Sequence, residues 1–379
     1  MSIRQHNLGS IVKPGFNALG PQTSTNTYYN YLYGWGQQST YGQLGLGNLT
    51  NYSSPKQVGL LATWKNIVNG RAFWIATKTD GTLWSCGQNS NGELGLNVAT
   101  HYSSPKQVGL LNTWLNIAAG DYAAIATRTD GTLWSWGRNI YGQLGQGNTT
   151  SYSSPKQIGA LTSWVTVAGG LRHFLAVKTD GTLWSWGYNP QGQLGNGATA
   201  NTSSPAQVGA LTNWSKIAGG SYHSLSIKTD GTLWSWGGNG TGQLGLSNTT
   251  YYSSPKQVGA LANWYVIAGG AQNTIATKTD GTLWVSGSGL FGVLGLGGTT
   301  GYSSPMQVGS LTNWLNTACG FYTTVVSKSN GTLWSWGRND IGQLGLGDTT
   351  NRSSPVQVGA LTTWLSASTS YKFTMALLY

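Results

Sequence analysis

The segment KTDGTLWSWG, residues 178–187, recurs with small changes at 78, 128, 228, 278 and 328, always 50 residues apart. Self-similarity at a fixed period of this size is typical of proteins in which one supersecondary unit is copied and stacked. Length alone would suggest two or three ordinary domains for 379 residues. The repeats instead predict one assembly of equivalent units.

One repeat, residues 214–258, contains four short segments with the residue pattern of β-strands. Two of them, SLSIK and TLWSW, alternate in side-chain character and are separated by Asp230-Gly231. An Asp-Gly pair in this position predicts a tight hairpin with a type I′ turn, so we interpret the aspartates as turn formers. A further strand-like segment lies on each side of the hairpin. Four antiparallel strands in 50 residues predict one blade of a β-propeller.

The alternation inside these strands predicts how the blades pack. Trp234 and Trp236 are two residues apart and therefore lie on the same face of the sheet. The preceding strand sets the large side chains of Leu225 and Ile227 against small serines. A bulky face on one blade against the slimmer face of its neighbour allows the interdigitation that sheet packing needs. Each blade then buries the next, which explains why the segment is repeated.

The counts of the recurring elements predict seven blades and the way in which the ring closes. SSP recurs seven times, from Ser53 to Ser353, and the Trp that opens the first strand recurs seven times, from Trp64 to Trp364. GTLW occurs only six times, but residues 31–36 (YLYGWG) read as a degenerate TLWSWG. We therefore predict an all-β, seven-bladed propeller with four antiparallel strands per blade, in which strands from both termini share the last blade. Such closure protects edge strands that would otherwise template aggregation.

This interpretation divides the chain into two regions. Residues 1–30 are predicted to form an extended N-terminal arm, because their spaced apolar residues and prolines show no periodicity. Residues 31–379 are predicted to form the propeller. The predicted blades cover about 63–112, 113–162, 163–212, 213–262, 263–312, 313–362, and a composite of 363–379 with 31–62.

Composition and charge narrow the class of function. The chain has 57 Gly, 19 Trp and 19 Tyr, as expected of a turn-dense β protein with heavy aromatic packing. Its formal net charge of +11 would favour nucleic-acid binding only if the basic residues were clustered. They recur once per repeat instead, which spreads them around a ring, so nucleic acid is not an expected partner. The recurring basic residues are Lys78, Arg128, Lys178, Lys228, Lys278 and Lys328, and, after SSP, Lys56, Lys106, Lys156 and Lys256.

The sequence offers no pattern that predicts catalysis, a cofactor, a metal site or a small-molecule ligand. Cys86 and Cys319 occupy different repeat positions and are interpreted as substitutions. His173 and His223 share one repeat position without further ligands at metal-binding spacing, so we predict structural hydrogen bonds for them. GQLGLG recurs without a following helix, which favours a tight turn over a phosphate loop. No apolar segment has the length of a signal peptide or a membrane span.

The combination of GQLGLG, LWSWG and GGSYHS resembles the RCC1-like repeat family, named for the regulator of chromosome condensation. The resemblance covers residues 31–379 and implies a seven-bladed propeller with a central channel. Members of this family have varied activities, which include nucleotide exchange on a small GTPase, light sensing as a homodimer and inhibition of β-lactamase. The exchange activity depends on a wedge inserted into one blade, for which the uniform spacing from 53 to 353 leaves no room. The near-identical repeats and their Asn/Thr-rich segments are most similar in style to bacterial and phage-encoded members.

Positions at which the repeats differ are candidates for a specific function, because packing already explains the identical ones. The clearest differences follow the Gly pair between the first and second strands, and in a ring these seven loops gather near the channel mouth on one face. Aromatic residues and Arg are enriched at protein-interface hot spots, and the resemblance implies Trp and Arg in this loop at the dimer interface of the light-sensing members. Neutral variation of exposed loops is the alternative. The candidate protein-binding residues are Arg71, Phe73, Asp121, Tyr122, Arg172, His173, Tyr222, His223, Gln272, Asn273, Phe321, Tyr322, Tyr371 and Lys372.

A second variable loop follows the third strand, with NIYG at 139–142 and GLFG at 289–292 as examples. We expect this loop on a different edge of the propeller, where it exposes Tyr141, Phe291 and Ile341 singly. Single exposed apolar residues need no functional explanation. No role is therefore assigned to this loop.

Together these observations predict a protein-binding or structural platform without catalytic activity. The first context we infer is a phage virion, in which the chain is tail-associated or capsid-attached and its arm lies on another virion protein. The alternative is a soluble or exported bacterial binding protein, such as an enzyme inhibitor, and a guanine nucleotide exchange factor is a third, less favoured possibility. The expected location is the virion, or otherwise the bacterial cytoplasm or the cell exterior reached by a non-classical route. A membrane is not an expected partner.

Overall fold

The computed structural model describes residues 30–38 and 40–379, and these residues form seven sheets of four antiparallel strands each. The predicted seven-bladed architecture is confirmed. The predicted arm, residues 1–30, lies outside the described residues except for Asn30, whose backbone bonds to residues 62 and 64.

The strands repeat at 50-residue intervals and are numbered in chain order. The first strands of the blades are β3 (Trp64–Asn69), β7 (Trp114–Ala119), β11 (Trp164–Gly169), β15 (Trp214–Gly219), β19 (Trp264–Gly269), β23 (Trp314–Cys319) and β27 (Trp364–Thr369). The second strands are β4 (Phe73–Lys78), β8 (Ala123–Arg128), β12 (His173–Lys178), β16 (His223–Lys228), β20 (Asn273–Lys278), β24 (Thr323–Lys328) and β28 (Phe373–Leu378). The third strands are β1 (Tyr31–Gly36), β5 (Leu83–Gly87), β9 (Leu133–Gly137), β13 (Leu183–Gly187), β17 (Leu233–Gly237), β21 (Leu283–Gly287) and β25 (Leu333–Gly337). The fourth strands are β2 (Tyr52–Gln57), β6 (Tyr102–Gln107), β10 (Tyr152–Gln157), β14 (Thr202–Gln207), β18 (Tyr252–Gln257), β22 (Tyr302–Gln307) and β26 (Arg352–Gln357).

The ring closes through a blade that both ends of the chain build, as predicted. Its strand order is β2-β1-β28-β27, so the two inner strands come from the C-terminus and the two outer strands from the N-terminal part. Strand β1 pairs with β28 without interruption, from Tyr31 opposite Leu378 to Gly36 opposite Phe373. We number the blades from one, which begins at β3, to seven, which is this composite blade. Because all seven sheets share this order, each first strand faces the axis and contacts the first strands of its two neighbours.

The apolar core lies between the blades rather than inside any one of them. A representative cluster joins Leu225 and Ile227 of blade four to Trp264, Ile267 and Ala276 of blade five. The large and small faces predicted from the strand alternation therefore meet across each interface. Since no blade buries its faces alone, the stability of each blade depends on its neighbours.

Four third strands, β9, β13, β17 and β25, carry two tryptophans, which have different environments although both lie on the same face. Trp236 is fully buried, and its Nε1 donates a hydrogen bond of 2.9 Å to the carbonyl oxygen of Gln193 in the preceding blade. Trp234 is only partly buried and lies at the start of the strand, next to the turn from the second strand. Cys86 and Ser286 replace the buried indole in blades one and five. The inter-blade indole bond is present at Trp35, Trp136, Trp186, Trp236 and Trp336.

The turn between the second and third strands differs from the predicted type I′ turn. Gly231 has a φ of +81°, but among the described non-glycine residues only Asn97, Ser247 and Phe291 have positive φ, so Asp230 does not. A type I′ turn requires positive φ at both central residues, and the loop instead has three residues with Gly at the left-handed position. The aspartate is a turn former, as predicted, because Asp230 Oδ1 accepts hydrogen bonds from the backbone N–H and the hydroxyl of Thr232, at 2.9 and 2.6 Å.

The glycines of GQLG are required by the approach of the next blade. In blade two, a Cβ on Gly142 would lie 2.5 Å from the Cα of Ser203, and one on Gly145 would lie 2.9 Å from Nε1 of Trp186. Both glycines also have positive φ, +77° and +67°. Packing and backbone conformation therefore account for this motif, as the tight-turn interpretation predicted.

The loop after the third strand is held by a buried asparagine in most blades. In blade two, Asn139 accepts a hydrogen bond from the backbone of Leu144 and donates to the carbonyl oxygens of residues 148 and 150. Blade five has Gly289 at this position, followed by the short 3-10 helix Leu290–Gly292. Within that helix Phe291 has a φ of +60°, a conformation that is rare for a bulky residue. The loop of blade five therefore departs from the shape that the other blades share.

Candidate protein-binding face

The loops after the first and third strands lie at the same end of the ring. In every blade a backbone N–H at the start of the third-strand loop donates to a carbonyl in the first-strand loop, for example Tyr188 N to Arg172 O at 2.9 Å. The prediction that the two loops lie on different edges is therefore wrong. Chain direction explains the result, because strands one and three run the same way in an antiparallel sheet. We call this end the variable face; it consists of 70–72, 120–122, 170–172, 220–222, 270–272, 320–322 and 370–372, with 37–38, 40–51, 88–101, 138–151, 188–201, 238–251, 288–301 and 338–351.

The opposite end of the ring carries the turns between second and third strands. We call it the hairpin face; it consists of the turns 79–81, 129–131, 179–181, 229–231, 279–281 and 329–331. Next to one turn, Lys228 Nζ lies 3.7 Å from the ring centroid of Trp234 and 4.9 Å from that of Trp214. Only 7% of Lys228 is exposed, and burial lowers the pKa of its amine. The recurring basic residues that end the second strands, from Lys78 to Lys328, therefore act as packing groups over tryptophan.

Five of the predicted binding residues are buried, four of them at the start of a second strand. Phe73, His173, His223 and Asn273 open the second strands, and none is more than 2% exposed. These four residues cannot form the surface of the variable face, so that part of the prediction is wrong. The second strand begins one residue earlier than the sequence suggested. We call the three residues 71–73 of blade one, and their equivalents in the other blades, the triplet. The third residue of each triplet therefore lies at an inter-blade packing position.

The buried histidines make the structural hydrogen bonds that were predicted. His173 Nε2 lies 2.9 Å from Ser224 Oγ, and His223 Nε2 lies 3.2 Å from Thr274 Oγ1. Because Ser224 Oγ donates to the carbonyl oxygen of Gln193 at 2.8 Å, its lone pair accepts from the Nε2–H of a neutral His173. Burial lowers the pKa of His173 to about 3 and that of His223 to about 4. Both imidazoles are therefore neutral at pH 7.

The first residues of the loop triplets form a chain of contacts around the channel mouth. The backbone N–H of Arg71 donates to Asp121 O at 3.2 Å, and that of Asp121 donates to Leu171 O at 2.8 Å. Asp121 is only 6% exposed, and its carboxylate lies 3.6 Å from the guanidinium of Arg71. Asp121 is therefore a support for Arg71, whereas the sequence predicted a direct contact with a partner.

The remaining candidate residues of the triplets are exposed or half-buried. Arg71 and Gln272 are exposed at the surface. The half-buried candidates are Tyr122, Arg172, Tyr222, Phe321, Tyr322, Tyr371 and Lys372.

One group of aromatic residues joins the loops of blades five, six and seven. Phe321 lies 5.0 Å from Tyr371 and 5.6 Å from Tyr322, measured between ring centroids. Tyr322 also contacts Phe291 of blade five at 5.1 Å. Arg71 then connects this group to blade two, because its guanidinium lies 5.7 Å from the ring of Tyr371 and 5.5 Å from that of Tyr122.

A second group lies on blades two, three and four. Tyr141 and Tyr188 have ring centroids 4.5 Å apart, and Tyr188 lies 6.4 Å from Tyr222. Arg172 lies over both Tyr141 and Tyr188, at 5.2 and 5.7 Å, and its Nη1 donates to the Tyr141 hydroxyl at 3.1 Å. Tyr141 and Phe291 therefore belong to connected clusters, and the prediction that they stand singly is wrong.

Sequence reasoning missed three members of these clusters. Arg138, Tyr188 and Arg338 each follow the LWSWG segment directly and so share one repeat position. Arg138 lies 5.5 Å from the ring of Tyr122, and Arg338 lies 5.1 Å from that of Phe291. The sequence contained a signal for them, because this position varies among the repeats whereas the Gly before it does not.

The described residues show no further chemical site. Within them no group of three or more His, Cys, Asp or Glu is placed to hold a metal ion. Cys86 and Cys319 are both free, and burial raises the pKa of each thiol. Over the same residues, no helix has the length and apolar character needed to cross a membrane.

Several solved structures share this fold. The chain matches Prp20p from Saccharomyces cerevisiae at 22% identity and a TM-score of 0.82, over 93% of this chain and 92% of Prp20p. It matches human WBSCR16 at 22% identity and a TM-score of 0.83, over 92% of this chain and 98% of that one. A structure of Kap60 bound to yeast RCC1 (Prp20) matches at 21% identity and a TM-score of 0.81, over 100% of this chain and 96% of the other. Identities this low establish the fold alone.

Sequence comparison identifies the family. No curated protein sequence matches the chain. The model of the RCC1-like domain matches residues 31–376, which is nearly the whole propeller. The family resemblance inferred from GQLGLG, LWSWG and GGSYHS is thereby confirmed, and the chain belongs to the RCC1-like domain family.

Proposed function

We propose that the chain is a non-catalytic protein-binding platform whose variable face makes the contact. The observation that carries this proposal is the two clusters of stacked aromatic and arginine side chains on that face. Tyr, Trp and Arg are the residue types that dominate binding energy at protein interfaces. A protein is therefore the class of partner that this chemistry favours.

The side chains of the variable face are ordered before any partner binds. Arg71 is held between Tyr122 and Tyr371, and Arg172 is held between Tyr141 and Tyr188. A long side chain that is already ordered loses less conformational entropy on binding, and this preorganisation increases affinity. The stacking supports a binding role more strongly than scattered exposed residues would.

The fold does not require these residues. The second position of the triplet is occupied in turn by Ala72, Tyr122, Arg172, Tyr222, Gln272, Tyr322 and Lys372. Seven equivalent blades accept all of these side chains with the same strand bounds. The choice among them is therefore free to serve recognition.

Protein binding is also described for proteins of similar fold. Prp20p is described with binding properties to Gsp1p and histones, and yeast RCC1 (Prp20) is described in a complex with Kap60. These partners belong to those proteins. They support the narrower point that a propeller of this shape can serve as a docking surface.

The context that we propose is a phage virion, in which the partner is another virion protein. The near-identical repeats and the Asn/Thr-rich segments, such as residues 148–154, support this context through their likeness to phage-encoded members of the family. Mass spectrometry of purified particles tests it, because a virion component is present at a fixed copy number. Absence of the chain from purified particles would contradict the virion context but not the binding function.

Capture of a partner from the native source tests the binding function. The variant Tyr122→Ala, Tyr322→Ala, Tyr371→Ala removes three aromatic rings of the variable face, and truncation of a hot-spot aromatic costs about 2 kcal/mol or more. We expect the triple variant to lose the partner that the native chain captures. Lys65→Ala, an exposed position near the other end of β3, is the control and should retain it. Equal capture by the native chain and the triple variant would disprove the assignment.

A further inference from the structure

A small pocket lies on the variable face where blades two and three meet. Its wall includes Asp121, Tyr122, Arg138, Tyr141 and Arg172. We call it the arginine pocket. Two guanidinium groups and two phenol rings thus surround one opening at the surface.

Both arginines of the pocket are held in place by tyrosines. Arg172 donates to the Tyr141 hydroxyl at 3.1 Å and stacks on that ring, and Arg138 lies 5.5 Å from the ring of Tyr122. Stacked guanidinium groups keep free edges that can still donate hydrogen bonds. The arrangement is therefore ready for a planar anionic acceptor.

The charges around the pocket leave a positive excess. The carboxylate of Asp121 forms an ion pair with Arg71 at 3.6 Å. The carboxylate of buried Glu93 accepts hydrogen bonds from the backbone and side chain of Asn91, both at 2.8 Å. No carboxylate of the described residues lies within 4.0 Å of Arg138 or Arg172. Three guanidinium groups thus face two carboxylates, and Arg138 and Arg172 interact with the Asp121 carboxylate only from beyond 4.0 Å.

In blade six, the arginine at the repeat position of Arg138 has a carboxylate partner within the chain. Arg338 occupies the repeat position of Arg138, and its guanidinium lies 2.6 Å from Asp340. The position of Asp340 is occupied in blade two by Ile140, which is 45% exposed. Blade two therefore keeps the arginine but lacks the internal carboxylate that blade six supplies.

We propose that the arginine pocket receives the carboxylate of an Asp or Glu side chain from the protein partner. This inference rests on the proposed function and names the chemistry of its contact. A carboxylate matches the planar fork of a guanidinium and can accept two parallel hydrogen bonds from it. The buried Asp121 and Glu93 limit the positive excess, which suits a singly charged side chain better than a nucleic-acid backbone, whose binding needs a continuous basic stripe.

The test uses the full chain and a single-carboxylate probe, N-acetylglutamate N-methylamide. Titration is followed by the NMR signals of the arginine Nε–H groups, and N-acetylglutamine N-methylamide is the uncharged control. We expect saturable shifts of the Arg138 and Arg172 signals with the glutamate probe alone. Absence of saturable shifts overturns the proposal, and so do stronger shifts with a short oligothymidylate than with the glutamate probe.

Ile140→Asp is the decisive variant, because it copies the internal ion pair of blade six without removing an arginine. We expect it to weaken probe binding about tenfold or more, the loss of one charge-assisted contact, with an unchanged melting temperature. Ser90→Asp adds the same charge at the same repeat position in blade one and should weaken binding less than Ile140→Asp does. Equal effects of the two variants would overturn the proposed pocket, since they would show that probe binding depends only on the net charge of the variable face.

Partner capture separates this inference from the function on which it rests. If Ile140→Asp captures the partner as well as the native chain does, while the triple tyrosine variant does not, the arginine pocket is wrong and the variable face stands. If all variants capture the partner equally, the proposed function itself is wrong.

Discussion

The two ends of the ring are built by the same strands but obey different sequence rules. On the hairpin face, five turns repeat Thr-Asp-Gly, and the sixth has Ser329-Asn330-Gly331 with the same side-chain bonds to Thr332. On the variable face, the triplets change from blade to blade while the backbone bonds between loops remain. The turns of the hairpin face are held by side-chain hydrogen bonds, so their residues recur. The triplets of the variable face are held by backbone hydrogen bonds, so their side chains can differ.

Under the proposed function, this difference separates the residues that stabilise the ring from those that bind a partner. Lys228 and Trp234 of the hairpin face stack closely, and the Trp234 Nε1 donates to Thr232 Oγ1 at 2.9 Å. The arginines and tyrosines of the variable face stack as well, but at positions where other blades have Ala72 or Gln272. Substitutions on the hairpin face should therefore reduce stability, and substitutions on the variable face should reduce binding.

Removing one buried inter-blade indole should cause the largest loss of stability. Trp186→Ala opens a cavity between blades two and three and removes the bond from Nε1 to Gln143 O. We expect a loss of about 3 to 5 kcal/mol in the free energy of unfolding, measured by chemical denaturation. Trp186→Phe, which keeps much of the volume, should lose less. Equal stability of the alanine variant and the native chain would contradict the inter-blade core.

Acidification should lower the free energy of unfolding through the two buried histidines beneath the variable face. Burial lowers the pKa of His173 to about 3 and that of His223 to about 4, from an ordinary 6.5, so below pH 6.5 the unfolded chain binds protons that the folded chain excludes. The stabilisation is complete above pH 6.5 and is lost toward pH 4 and below, by about 1.4 kcal/mol per pH unit and per histidine.

His173→Phe with His223→Phe tests this pH dependence, because blades one and seven carry Phe73 and Phe373 at the same position. We expect a shallower loss of stability between pH 6.5 and 4 in the double variant. An unchanged slope would mean that other groups cause the acid sensitivity.

A substitution that strains the backbone should cause a loss of stability of intermediate size and should distinguish the two faces. Gly181 on the hairpin face has a φ of +74°, and a Cβ there would lie 2.0 Å from the carbonyl oxygen of Thr212. We expect Gly181→Ala to lower the free energy of unfolding by about 1 to 3 kcal/mol. Gln272→Ala on the variable face should change it by about 0.5 kcal/mol or less. Similar losses in both variants would remove the distinction between the faces.

The smallest expected effect compares two lysines that both contact aromatic rings. Lys228 Nζ lies 3.7 Å from the Trp234 centroid on the hairpin face, whereas Lys372 Nζ lies 5.4 Å from that of Tyr371 on the variable face. Lys228→Met should lower the free energy of unfolding by about 1 kcal/mol. Lys372→Met should alter thermal unfolding very little, and the reverse order would show that the buried lysines do not stabilise the ring.

The blade number and the ring closure could be predicted from the sequence because both depend on counting. Seven copies of SSP and of the first-strand Trp, against six of GTLW, left one third strand to be supplied by residues 31–36. The alternation of Leu225 and Ile227 with serines likewise revealed the inter-blade packing. These features follow from residue identity at regular spacing.

The candidate site was predicted only in part because it depends on where strands begin and which way they run. A shift of one residue placed His173 and Asn273 inside strands, where burial removes them from any surface. The common edge of the two variable loops follows from strand direction, which also brings Arg138 beside Tyr122. The burial of Asp121 arises from contacts between neighbouring blades, which a single repeat does not reveal.

Hydrogen exchange of the full chain, with and without its captured partner, tests most directly the claim that one face binds and the other stabilises. We expect protection in the loops 120–122, 170–172 and 320–322 when the partner is present, with unchanged exchange in the turns 129–131, 179–181 and 329–331. Protection of the hairpin turns with unchanged exchange in the variable loops would contradict this claim.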